Sequence, residues 1–201
     1  ERRLDGTLAL ISAGLQLDLA GEVDLARNRF SNVRANAWAR NPRLLLDRLD
    51  GQNLRLALLV DGAMSGPRFE YRLTAPWVAF GTTRLTGLEA TGEGIAGRAI
   101  TSIPVDLRVA RVTGFGDLAE GLARNLRAQG LLQWRGQTIA GDNIRIRSDG
   151  LDGRLAVAAD LTRGSYQAAW NGALPGLEIP GLGRVDLLTD LDLRPQGGGL
   201  A

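Results

Sequence analysis

The chain contains no cysteine, no histidine and no lysine, so all 24 of its basic residues are arginine. Thiol nucleophiles, Ser-His-Asp triads, imidazole acids or bases and Cys/His zinc sites are therefore excluded. The glycine-rich stretch Gly92 to Gly97 cannot be a P-loop, because the Lys-Ser or Lys-Thr that reaches the phosphates is missing. A cysteine-free chain is indifferent to the redox state of its compartment. Aromatic residues are only 5%, few for the core of an ordinary β-sandwich. An excess of one charge is also lacking: 24 basic against 22 acidic groups leave a formal net charge of +2, so the pI of 9.9 overstates the basic character. Bulk attraction to nucleic acid or anionic lipid is not expected. The longest uncharged stretch, Gly164 to Leu177, is too short and too polar to span a bilayer. The first residue is Glu1, and no basic region followed by an apolar one occupies the first twenty positions. The ends are expected to be cuts in a longer chain.

What is present is alternation. With 201 residues, 44% hydrophobic, the chain is long enough to form one domain over 1–201 without disulfides or metal. Along most of it apolar and polar residues take turns, the period of a strand with one apolar and one solvated face. Val185, Leu187, Leu191 and Leu193 oppose Arg184, Asp186, Asp190 and Asp192. The same pattern sets Leu155, Val157, Ala159 and Leu161 against Arg154 and Asp160. It sets Ile103, Val105, Leu107 and Val109 against Asp106 and Arg108, and Phe69, Tyr71 and Leu73 against Glu70 and Arg72. Leu15, Leu17 and Leu19 oppose Gln16 and Asp18, and Ile144 and Ile146 oppose Arg145 and Arg147.

The dipeptides Asp5-Gly6, Asp50-Gly51, Asp61-Gly62, Asp149-Gly150, Asp152-Gly153 and Asn171-Gly172 predict tight hairpin turns, hence antiparallel neighbours in chain order. Glycines scattered within the strands predict bulges and coiling. Leu118, Leu122 and Leu126 predict a short amphipathic helix from Asp117 to Arg127, and Asn41 with Pro42 a second from Asn41 to Arg48. The expected fold is mainly β: a curved antiparallel sheet forming a taco-like hydrophobic groove, with one or two short helices. Asp160, Asp186, Asp190 and Asp192 could serve calcium or glycoside chemistry, and Arg145, Arg147 and Arg154 could meet phosphate. Alternation assigns both sets to a solvated face. Trp38, Trp77, Trp134 and Trp170 read as packing anchors at strand ends.

The run Val60-Asp61-Gly62-Ala63-Met64-Ser65-Gly66-Pro67-Arg68-Phe69-Glu70-Tyr71 resembles the TamB-like proteins of Gram-negative bacteria, members of the AsmA-like group. So do Asn125-Leu126-Arg127-Ala128-Gln129-Gly130, Arg147-Ser148-Asp149-Gly150-Leu151-Asp152-Gly153 and Ile179-Pro180-Gly181-Leu182-Gly183-Arg184-Val185-Asp186. The resemblance runs from about Asn53 onward and rests on the order of these segments. It implies a repeating β-groove anchored in the inner membrane and crossing the periplasm, along which phospholipid moves toward the outer membrane. A TamA-type outer-membrane partner is also implied.

The residues expected to line the groove are Leu15, Leu17, Leu19, Phe69, Tyr71, Leu73, Ile103, Val105, Leu107, Val109, Ile144, Ile146, Leu155, Val157, Leu161, Val185, Leu187, Leu191 and Leu193. The expected function is non-enzymatic carriage of phospholipid acyl chains, with no cofactor, no metal and no nucleic-acid partner. The alternative is a periplasmic module that holds unfolded outer-membrane strands during barrel assembly.

Overall fold

Strict alternation is satisfied by long strands. The computed structural model describes residues 3–12, 14–44, 49–114, 123–160, 162, 165–179 and 183–193. They form β1 (Arg3–Ile11), β2 (Leu15–Asp24), β3 (Arg29–Ala39), β4 (Leu49–Gln52), β5 (Leu54–Ala63), β6 (Arg68–Phe80) and β7 (Thr83–Ile95). β8 (Thr101–Thr113), β9 (Arg124–Arg135), β10 (Thr138–Arg147), β11 (Asp152–Asp160), β12 (Ser165–Ile179) and β13 (Gly183–Leu193) follow. All thirteen belong to one antiparallel sheet whose order is the order of the chain, except that β4 lies beside the end of β6. Short connections between successive strands leave hairpin pairing as the local solution. β1 and β13 stand at opposite edges and do not pair, so the sheet is open.

Unpaired positions interrupt the ladder in a row across β4 to β9 without shifting its register. Asn53, Gly87 and Asn125 have φ of 52°, 67° and 51°, left-handed values that Asn and Gly adopt at least cost. Beyond each such position the opposite parity faces inward. Val109 and Val112, three apart, are consequently both buried, and so are Ala75 with Val78. These residues join Leu88 and Ala123 in the core cluster, with Leu49, Leu54, Leu85, Leu126 and Leu151 packed around it. The cluster sits toward the end of the sheet that carries the β3–β4, β8–β9 and β10–β11 connections.

The sheet leaves much of itself uncovered. The accessible surface of the whole chain is 13357 Å², against roughly 9,200 Å² for a compact protein of this mass. The whole of β1 is exposed.

Several expectations are corrected. Arg124 to Arg127 belong to β9, not to a helix; the rest of the proposed helix, 117–122, lies outside the described residues. The i, i+4 spacing of Leu118, Leu122 and Leu126 is also a multiple of two, so it fits a strand as well as a helix, and Leu126 pairs in register with Val109. In the Asn41 to Arg48 segment a single 3-10 turn, Pro42–Leu44, is described, with Asn41 Oδ1 accepting from the Arg43 amide at 3.2 Å; residues 45–48 lie outside the description. Of the turn dipeptides, only Asp149-Gly150 lies between strands. The other five lie within β1, β4, β5, β11 and β12, because these strands run longer than their charged punctuation suggests.

Candidate binding face

Residues in register on neighbouring antiparallel strands project from the same face. One such row crosses the entire sheet as Leu10, Leu17, Ala37, Leu56, Leu73, Ala90, Leu107, Ala128, Ile146, Gly153, Gly172 and Thr189. A second contains Leu8, Leu19, Ala35, Leu58, Tyr71 and Gly92, then the pair Val105 and Gly130, then Ile144, Leu155, Trp170 and Leu191. A third contains Val33, Val60, Phe69 and Gly94, with Ile103 opposite Leu132 and Gly141 in line with Val157, Ala168 and Leu193.

The intervening rows are polar. Asp18, Asn36, Ala57, Arg72, Thr91, Asp106, Gln129, Arg145, Arg154, Asn171 and Asp190 form one unbroken line across β2 to β13. Ion pairs on this face include Arg72–Glu89 at 3.4 Å and Arg145–Asp152 at 3.3 Å; they are solvated and contribute at most about 1 kcal/mol each.

The residues singled out from the sequence therefore meet on one face. Leu17, Leu73, Leu107 and Ile146 share the first row, and Leu19, Tyr71, Val105, Ile144, Leu155 and Leu191 lie on the second. Phe69, Ile103 and Val157 lie on the third, where Leu193 pairs in register with Ala168. Leu15 pairs with Ala39, Leu187 with Leu174 and Val185 with Leu177, continuing the same face toward one end. Leu161 lies outside the described residues. Val109 and Ile144 differ from the rest, being only 2% and 8% exposed. They are core rather than open surface, whereas Leu187 and Leu191 are 43% and 50% exposed.

Occlusion differs between the faces. Ala75, Ala90 and Ala128 on the apolar face are buried, while Ala57 on the polar face is exposed. Residues of one size thus have less access to solvent on the apolar side.

Aromatic rings reinforce this face in a way the alternation did not reveal. A Cβ at Gly92 would lie 2.6 Å from the Tyr71 ring, one at Gly94 2.8 Å from Phe69, and one at Gly172 2.5 Å from Trp170. Tyr71 and Phe69 cover glycines on the next strand, and Trp170 covers Gly172 of its own strand and Gly153 of β11, where a Cβ would lie 2.7 Å from the ring; each ring restores packing that glycine forfeits. Tyr71 donates to Pro104 O at 2.9 Å, and burial raises its phenol pKa. Trp170 Nε1 donates to Thr189 Oγ1 at 2.9 Å from the middle of β12. Trp170 is therefore not a strand-end anchor. Trp38 and Trp77, near strand ends on the polar face, lie beneath Arg40 and Arg84 at 4.5 and 4.0 Å.

No group of acidic residues able to hold a metal is found among the described residues, and none of their helices is long and apolar enough to cross a membrane. No protein-family model, curated protein or solved structure matches the chain.

Proposed function

We propose that this chain is a groove segment of a TamB-like, inner-membrane-anchored periplasmic bridge, carrying phospholipid acyl chains toward the outer membrane without enzymatic chemistry. The observation that carries the proposal is the set of apolar rows that continue from strand to strand on one face of an open sheet. At about 4.8 Å per strand, a row crossing twelve strands is a ribbon on the order of 50 Å long. Transfer of each methylene from water is worth ~0.8 kcal/mol, so a guest chain is held by length rather than by any one contact. Leu, Val, Ile and Ala side chains offer no directional bonds, which suits sliding. A TamA-type outer-membrane protein is the partner this reading implies at the far end.

Native mass spectrometry with lipid extraction, on protein never exposed to detergent, tests the proposal. Copurifying phospholipid is expected, and its loss in Leu56→Asp and Leu187→Asp, both at exposed positions of the apolar face. An apo mass with unchanged melting in added phospholipid overturns it. Retention of alternating peptides instead of lipid favours the strand-holding module.

A further inference from the structure

The polar face carries a second feature, independent of what the apolar face holds. Arg108, Arg127 and Arg147 stand directly in register on β8, β9 and β10. Arg111 is opposite Arg124, and Arg145 is opposite Arg154. The unpaired position at Ala110 and Asn125 keeps the second pair on the polar side, since Val112 and Ala123 take the buried positions beside it. Like charges directly opposed across a ladder are destabilising, and here they recur four times in adjacent strands. The acids nearby are already engaged: Asp152 with Arg145 and Arg147, Asp106 with Arg108, and Asp149 with the Asn125 amide at 3.1 and 3.0 Å. Arg111, Arg124, Arg127 and Arg154 are exposed and have no acidic partner within ion-pair distance among the described residues.

We infer that this arginine array over β8 to β11 docks the sheet onto an anionic phospholipid membrane surface. Guanidinium forks pair with phosphate oxygens, and a sheet face spreads them as a plane about 14 Å across at the interstrand spacing. The array has no aromatic side chain for bases to stack on, which disfavours single-stranded nucleic acid. It also has no buried aromatic or aliphatic anchor of the kind that dominates protein interfaces. The adjoining depression of about 550 Å³, which includes Arg145, Arg154 and Asp190, is open to solvent and does not enclose a single small anion.

Flotation of the 201-residue chain with vesicles tests this. Binding is expected to phosphatidylcholine vesicles carrying phosphatidylglycerol, to fall with salt, and to be absent with phosphatidylcholine alone. At about fivefold per basic residue, combined Arg108→Gln, Arg127→Gln and Arg147→Gln should weaken it on the order of a hundredfold. The variant should fold at least as stably as the parent, because the opposed charges are gone. Arg27→Gln, Arg68→Gln and Arg135→Gln, toward the other end of the strands, should leave binding unchanged. Equal binding to neutral vesicles overturns the inference, as does insensitivity to the triple substitution. Displacement by inorganic phosphate shows a simple anion site, and tighter binding of a single-stranded oligonucleotide shows a nucleic-acid face; either also overturns it. Copurified lipid, measured on the same triple variant, should persist, which separates this inference from acyl-chain carriage.

Discussion

Glycines of similar appearance in the sequence have opposite roles here. A methyl group at Gly172 would meet Trp170 at 2.5 Å and Asp152 O at 2.8 Å, whereas at Gly6 nothing lies within 4 Å and φ is not left-handed. Gly172→Ala should therefore cost about 1–3 kcal/mol in urea unfolding by forcing the ring and the backbone apart. Gly6→Ala should be neutral or stabilise by about 0.4–1 kcal/mol, since it restricts chiefly the unfolded chain. Titration acts at the same scale. Asp50 accepts from the Gly51 amide and pairs with Arg43, which lowers its pKa. A depressed carboxylate supports the fold above its unfolded pKa and loses that support as pH falls through the folded value. Asp50→Asn should flatten the acid limb of a melting-temperature profile. Tyr71 has the opposite sign: burial raises its pKa, so its support is complete below about pH 10 and is lost as pH rises through the folded value. Phenolate absorbance should show a tyrosine titrating late in the folded protein, absent in Tyr71→Phe.

At the scale of elements, the unpaired positions in the ladder decide which side chains meet. Asn125 holds φ 51° and donates to both carboxylate oxygens of Asp149. Asn125→Ala loses the hydrogen bonds and retains a Cβ in the left-handed region, a change of about 1–2 kcal/mol. Asn125→Gly removes the steric term and should be the more stable of the two, as measured by denaturant midpoint; the reverse order would show that the left-handed backbone is not what constrains this position. Here the sequence was legible in type and misleading in detail. Alternation revealed strands and their apolar parity. Leu126, read as a helix residue, belongs to a strand because its spacing fits both periods and only its partner Val109 discriminates between them. Asn171-Gly172, read as a turn, lies inside β12 because its glycine is where Trp170 lies against the neighbouring backbone.

At the scale of the molecule, the surface of 13357 Å² is the defining quantity. A compact chain of 201 residues has a radius of gyration of about 16.5 Å, and small-angle scattering of the monomer should give a larger value. A radius at the compact figure would mean that the two edges meet in solution and the sheet has closed. The buried cluster lies toward one end, around Val109 and Val112, while Leu8, Leu10, Leu187 and Leu191 near the edges stay half exposed. Val109→Asp should accordingly abolish cooperative unfolding, whereas Leu187→Asp should leave it intact, as followed by far-ultraviolet circular dichroism during heating.

The sequence by itself determined the period-two pattern, antiparallel neighbours in chain order, the apolar parity over most of β2, β6, β8, β10, β11 and β13, and the exclusion of Cys- and His-based chemistry. Those properties are local, because alternation and side-chain chemistry are written in each segment. Only the tertiary structure decided the register that carries one row, apolar up to Thr189, across twelve strands and sets four arginine pairs face to face. Register depends on turn lengths, bulges and contacts between strands, and a bulge of one residue is enough to move every side chain beyond it to the other face.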